Sequence, residues 1–257
     1  MIVGSEILVV VFCFSCLMYA SWSDIKSRSV TNRLWLLMIA VGIPFASYNL
    51  FIYRIPLLIP FTFSLLFTFV LSYLSFRLYL FGGADAKSLI CISLLIPLHP
   101  DFRFSSHHFP LLLASNSGLI PFPFAISTLL NASILSLTVP GALFWYNLLN
   151  LRVRHQGLRK HLRYLFIGYL LRVNALPEVK HTRLVHLYEE REGNIEKKFI
   201  FGGVEIDREV IEKLKGYAAE GKIDEEVWVT PDLPFMLFIT AGFVMSLLYG
   251  NFLFAFS

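Results

Sequence analysis

Charge is segregated along this chain, and the segregation leaves few folds open to it. Between Leu151 and Pro231 lie 15 Lys/Arg and 13 Asp/Glu, while the rest of the 257 residues holds 7 of the 22 basic and 5 of the 18 acidic side chains. That charge-poor remainder reads as a series of apolar runs, and a helix needs roughly 20 apolar residues to cross a bilayer. Composition agrees: 56% of the residues are hydrophobic and 16% are charged, against about 45–50% and about 25% in soluble domains. A disordered chain, a nucleic-acid-binding domain and an ordinary cytosolic enzyme are excluded. Three cysteines exclude a disulfide scaffold.

The pattern predicts an all-α polytopic membrane protein of about six transmembrane helices, with a small cytoplasmic α+β insertion before the last. The expected spans are about Val3–Trp22, Leu34–Tyr53, Ile55–Phe76, Ala86–Leu98, Leu119–Leu149 and Leu233–Phe254. The first lacks a basic n-region and carries Glu6, so it reads as a retained helix rather than a signal peptide. The fourth is short for a full crossing unless its helix begins near Gly82. The fifth contains Pro121, Pro123 and Pro140, tolerable where neighbours satisfy the freed carbonyls. The domains expected are 1–150 (five helices), 151–231 (soluble) and 232–257 (last helix).

Basic residues orient the chain. Lys26, Arg28 and Arg33, then Arg77 and Lys87, then the run from Arg152 to Arg163 fall on one side of six spans, and only Arg54 and Arg103 on the other. The basic side is expected to be cytoplasmic, and the Arg152–Arg163 run is expected to meet anionic lipid. In the soluble segment, Leu184–Tyr188 and Lys198–Phe201 flank a polar stretch with Gly193, which suggests a hairpin. Asp207 can N-cap a helix of about Arg208–Ala219 that stops near Gly221, and Val227–Val229 can add a strand.

Two acidic residues stand out in the membrane part. Asp24 and Asp85 lie 61 residues apart, yet the expected topology sets both at the cytoplasmic ends of their helices. Two nearby carboxylates do not both ionise cheaply, so such a pair titrates as a unit. The ionised member can draw a proton from water while the protonated one polarises a peptide carbonyl. This is aspartic-protease chemistry and needs no metal or other cofactor. The Gly82-Gly83-Ala84 run would let a substrate backbone approach beside Asp85. The plainer alternatives are that Asp85 is a first-turn acid of its helix and that Asp24 pairs with Arg28. A proton-coupled carrier using the two aspartates as relay groups, and a non-catalytic membrane scaffold, are the competing functions.

Other motifs carry less. Cys13-Phe14-Ser15-Cys16 lies inside an apolar span without a partner pair and reads as two buried small hydrophobes. His99, Asp101, His107 and His108 could at most form a weak surface metal site. His181 and His186 lack the glutamate of a zinc-protease motif. Lys26 and Lys87 each follow an aspartate by two residues and can snorkel to the interface.

Two segments resemble a known family. Asp24, a basic stretch and Val30-Thr31-Asn32, followed by Gly82-Gly83-Ala84-Asp85 and then Lys87, look like the paired aspartate motifs of the archaeal preflagellin and type IV prepilin peptidases, membrane proteases of the GxGD class. Ala84 departs from the strict Gly-x-Gly-Asp pattern. The soluble insertion and Glu226–Pro231 before the last span resemble the preflagellin branch. The resemblance implies a catalytic dyad of Asp24 and Asp85, supported by Asn32 and Lys87, that cuts a short basic leader from preflagellin or prepilin-like substrates at the cytoplasmic membrane face. It implies no metal, cofactor or nucleic acid, and no methyltransferase activity.

Overall fold

The computed structural model describes residues 3–78, 80–104, 107–109, 122–154, 163–191 and 194–251. Along the chain these form α1 (Val3–Ser27), α2 (Asn32–Tyr53), α3 (Ile55–Arg77), α4 (Gly83–Leu95), β1 (Phe102–Phe104), β2 (His107–Phe109), α5 (Phe124–Ser136) and α6 (Thr138–Arg154). They continue as β3 (Tyr169–Arg172), a 3-10 turn (Val173–Glu178), β4 (Thr182–Arg191), β5 (Asn194–Glu205), α7 (Arg208–Ala219), β6 (Glu226–Pro231) and α8 (Phe235–Tyr249). Two compact units result: Met1–Ser136 with Pro234–Ser257, and Leu137–Leu233.

Four runs are long and apolar enough to cross a membrane: Glu6–Ser27, Asn32–Tyr53, Ile55–Arg77 and Phe124–Asn150. The chain is a multi-pass membrane protein. Of the other two apolar helices, α4 has the length expected but begins three residues earlier, at Gly83, and α8 is shorter than the expected Leu233–Phe254. Helix α4 has 13 residues and α8 has 15, rising about 20 and 22 Å at 1.5 Å per residue. Both fall short of a hydrocarbon core of about 30 Å. Helix α4 ends at Leu95 rather than Leu98 because Pro97 follows Ile96, which sits at φ −133°, ψ 79°. Proline's ring excludes the residue before it from the helical region. Helix α8 ends where Gly250 turns to φ +82° and its N–H meets the Ser246 carbonyl. The apolar stretch expected as one span over Leu119–Leu149 instead starts as helix after Pro123, turns at Leu137, and resumes with Pro140 in the first turn of α6. That first turn is where proline's missing N–H costs nothing. Pro121 lies outside the described residues.

In the helical unit, Leu17, Met38, Ile92, Leu95, Phe124 and Phe243 make the apolar core. Cys13, Cys16 and Cys91 are buried free thiols within it. Helix α3 turns Ser64, Thr68, Ser72 and Ser75 inward, while Phe67, Val70, Leu74 and Phe76 are exposed. This inversion of a soluble helix follows from the solvent. Lipid is as apolar as the core, so helices associate through small residues that permit close packing. Ser64 Oγ donates to the Pro97 carbonyl at 2.7 Å, giving the non-helical stretch after α4 a partner that lipid cannot supply. Helices α5 and α8 meet backbone to backbone: a Cβ on Gly242 would stand 2.5 Å from the Thr128 carbonyl oxygen.

The second unit is built on a four-stranded antiparallel sheet of order β3-β6-β4-β5. The expected hairpin is β4–β5, pairing Leu187 with Lys198 and Tyr188 with Lys197; Gly193 lies outside the described residues. The expected helix is α7, with Asp207 accepting the Val210 N–H at 2.8 Å and Gly221 at φ +69° beyond its end. The expected strand at Val227–Val229 is the inner strand β6. Strand β3 is an addition: Tyr-Leu-Leu-Arg is too short to show alternation, and only its pairing with β6 makes it a strand. Val173, Leu176, Leu184, Leu214, Val227 and Val229 form this unit's core.

His186 on β4 is buried, with Tyr164 5.0 Å away and Tyr188 and Phe199 beyond 6 Å between ring centroids. Burial, and then the Lys197 ammonium, hold its imidazole below the usual histidine range. The unfolded chain therefore binds the proton first as pH falls through about 6.5, and the folded unit loses stability below that pH. Unfolding followed by tryptophan fluorescence at pH 7.5 and pH 5 will show that loss, and His186→Phe will reduce it. Gly242→Ala will destabilise the α5–α8 contact by about 1–3 kcal/mol. Gly216→Ala, with open space around the added methyl, will stabilise α7 by up to about 1 kcal/mol. Thermal melts of the detergent-purified variants will separate the two signs.

Candidate active site

The last turn of α1 carries Asp24, and serines hold that turn. Ser21 Oγ donates to the Met236 carbonyl (2.9 Å) and shares a 2.7 Å hydrogen bond with Thr240 Oγ1, tying α1 to the start of α8. Ser23 Oγ donates to the Ser29 carbonyl at 2.7 Å, and Ser27 Oγ to the Ser23 carbonyl at 2.9 Å. These bonds fold the connection back on the helix end. The helix stops at Arg28, whose backbone sits at φ +52° and whose N–H meets the Asp24 carbonyl at 2.9 Å. Thr31 is extended, and Asn32 opens α2.

The first turn of α4 carries Asp85. Gly82 precedes the helix in an extended conformation, and Asp85 Oδ2 accepts its N–H at 2.9 Å. That is the helix-end role anticipated as the plain alternative, and it supplies a donor for a carboxylate that is only 6% exposed. The glycine matters sterically rather than for its torsion. A Cβ on Gly82 would stand 3.3 Å from Asp85 Oδ2, whereas one on Gly83 would rest at an ordinary 3.6 Å from the Phe76 ring. Ala84 packs against the bundle core. Ser88 Oγ donates to the Asp85 carbonyl at 2.7 Å, and Phe81 stacks on Phe235 at 5.8 Å.

The fold brings these two turns together. Asp24, partly buried, lies near enough to Asp85 for its charge to act there. Lys87 Nζ donates to Asn32 Oδ1 at 2.8 Å across a sequence separation of 55 residues. Four of the side chains singled out in the sequence, Asp24, Asn32, Asp85 and Lys87, thus meet at one end of the bundle. The Arg28 backbone meets Asp24 through its N–H, and among the described residues its guanidinium Nε and Nη1 have no hydrogen-bond partner. Sequence reasoning missed Ser21 and Thr240. The run Ser21, Ser23, Ser27, Ser29 at the end of an apolar helix was a visible signal, but nothing marked Thr240.

The remaining candidates lie elsewhere. A cavity of about 440 Å³ is lined by Glu6, Asn49, Tyr53, His99 and Asp101 among apolar side chains. Glu6 and Asp24 are 18 residues apart on α1, about 27 Å along the axis, so this cavity is remote from the aspartates. His99 Nε2 is hydrogen-bonded to Ser127 Oγ at 2.8 Å. The side chains of His107 and His108 lie outside the described residues. Among the described residues no group of three or more His, Cys, Asp or Glu could hold a metal ion.

Comparison with known proteins agrees with this geometry. Residues 11–141, which carry both aspartate turns, match the sequence model of the "Type IV leader peptidase family". Residues 160–252 match "Archaeal Peptidase A24 C-terminus Type II". The chain is 27% identical over 237 residues to the preflagellin peptidase of Methanocaldococcus jannaschii, covering 91% of each. It is equally identical to that of Methanococcus voltae over 237 residues, covering 91% of this chain and 92% of the relative. The prepilin peptidase EppA of Methanothermobacter thermautotrophicus is 29% identical over 135 residues, 47% of this chain and 34% of the relative. With over half its length matched and both aspartates inside the match, the chain belongs to the type IV leader peptidase family, whose members are proteases.

Proposed function

We propose that this protein is a membrane aspartic endopeptidase that removes the short basic leader from preflagellin or type IV prepilin-like precursors. The observation that carries the reading is that Asp24 and Asp85, from helices far apart in sequence, lie near enough for one charge to act on the other in a leader-peptidase family member. The preflagellin peptidase relatives, aligned over nine-tenths of both chains, support the substrate class. The bundle makes about six crossings: α1, α2, α3, the stretch begun by α4, the run Phe124–Asn150, and α8. The basic loops face the cytoplasm, so the dyad works at the cytoplasmic membrane face. There it meets the peptide bond just before the substrate's hydrophobic helix.

The chemistry follows from two carboxyls sharing a site. One is ionised and one protonated, because two like charges in a partly desolvated site repel. The ionised carboxylate takes a proton from a water as its oxygen attacks the scissile carbonyl carbon, and the protonated carboxyl donates to the carbonyl oxygen. Collapse of the tetrahedral intermediate breaks the C–N bond, and the leaving amine takes a proton from the dyad. Asp85 keeps its geometry through the Gly82 N–H, and Asp24 through the bonds of α1 to α8.

Purified protein mixed with a substrate bearing a basic leader and a hydrophobic helix will yield one new N-terminus, read by mass spectrometry. Asp24→Asn and Asp85→Asn will each lower the rate by about a hundredfold or more while leaving membrane insertion intact. Cleavage retained by either variant would sink the dyad. Gly82→Ala, which crowds the Asp85 carboxylate, will lower the rate roughly tenfold. Gly83→Ala will leave it within about twofold, and the ratio of the two rates in one assay tests the assignment.

A further inference from the structure

We infer that Asn32 and Lys87 form a latch that sets the separation of the two aspartates, and that both are positioning residues for the cleavage step. The inference rests on the peptidase reading above. The lysine two residues after Asp85 could have paired with a carboxylate. It does not: among the described residues Lys87 makes no ion pair, and its ammonium donates to a neutral amide, Asn32 Oδ1, at 2.8 Å. Both side chains are exposed, so burial does not force the contact, and forming it costs the lysine side-chain entropy.

The location of the bond says what it does. Asn32 is the first residue of α2, and Lys87 lies in the opening turns of α4. The Asn32 side is tied back toward Asp24 through the Arg28–Thr31 connection, which Ser23 and Ser27 fasten to the last turn of α1 through the Ser29 carbonyl. The Lys87 side lies two residues, a little over half a helical turn, beyond Asp85, whose carboxylate accepts the Gly82 N–H. A run of hydrogen bonds and short connections therefore joins one aspartate turn to the other, and the Lys87–Asn32 bond carries it between α2 and α4; another side-chain bond between these helices, from Cys91 Sγ to the Trp35 carbonyl at 4.0 Å, lies in the core. The rest of the α2–α4 contact, such as Trp35 and Met38 with Cys91 and Ile92, lies deeper in the apolar core. Cutting the latch leaves that packing in place and frees the two turns to drift. A dyad that must share one proton and one water is sensitive to drift of this kind, since about an ångström of misplacement can cost two orders of magnitude in rate.

The test is a double-mutant cycle on cleavage in detergent, with kcat and KM determined for wild type, Lys87→Met, Asn32→Ala and the double variant. Each single variant is expected to lower kcat about ten- to a hundredfold with KM within about twofold and the melting temperature unchanged. The double variant is expected to be no slower than the slower single one. Losses that multiply in the double variant, a change confined to KM, or kcat at the wild-type level would each overturn the latch. Asp24→Asn and Asp85→Asn run alongside keep the two readings apart. If these are inactive while the latch variants keep full kcat, only the latch is lost; if they cleave, the dyad itself is lost.

Discussion

A carboxylate can stay inside an apolar helix bundle only where the fold supplies donors for it, because lipid and packed side chains supply none. Asp85 meets that constraint by standing in the first turn of α4, where unpaired N–H groups and the positive end of the helix dipole are available. Much of the surrounding structure follows from this placement. The helix has to begin at the Gly82-Gly83-Ala84 run, the residue before it has to be small enough to leave the carboxylate room, and the chain has to turn sharply between α3 and α4. Helix α4 then runs into Pro97 within 13 residues, and its continuation depends on Ser64 for a hydrogen bond.

Asp24 is held by a different solution to the same problem. It sits at the end of its helix rather than the start, where the dipole disfavours a negative charge. Serine and threonine hydroxyls organise this turn instead. Ser21 and Thr240 link it to α8, and Ser23 and Ser27 fold the connection beneath it. The two aspartates thus reside in unlike environments, one buried and capped, the other partly exposed at a hydroxyl-braced helix end. An acid–base pair needs such an asymmetry if one member is to keep a proton that the other gives up.

Much of the candidate site was legible in the chain because acidic residues are rare in apolar sequence: Asp24 and Asp85 stood out by being there at all. Asn32 and Lys87 were legible only through the family resemblance. Their hydrogen bond was not legible, since nothing at a spacing of 55 residues marks a contact. Thr240 was invisible for a related reason, being one more small residue beside Ala241, Gly242 and Ser246 in an otherwise apolar helix. In the sheet-bearing unit, the α7 cap at Asp207 and the β4–β5 hairpin could be read locally, because caps and hairpins are decided within a few residues. Strand β3 could not, because its partner β6 lies more than fifty residues away.

The sequence by itself determined that the chain is a multi-pass membrane protein, that most of its charge is gathered between Leu151 and Pro231, and that its family is that of the leader peptidases. Local composition and short motifs carry all three. Only the tertiary structure decided where α4 and α8 stop and how closely α5 approaches α8 at Gly242. It also decided that Asp24 and Asp85 share one end of the bundle and that Lys87 turns to Asn32 rather than to a carboxylate. Helix packing in lipid is set by steric fit between distant small residues and by single hydrogen bonds, and neither leaves a periodic trace along the chain.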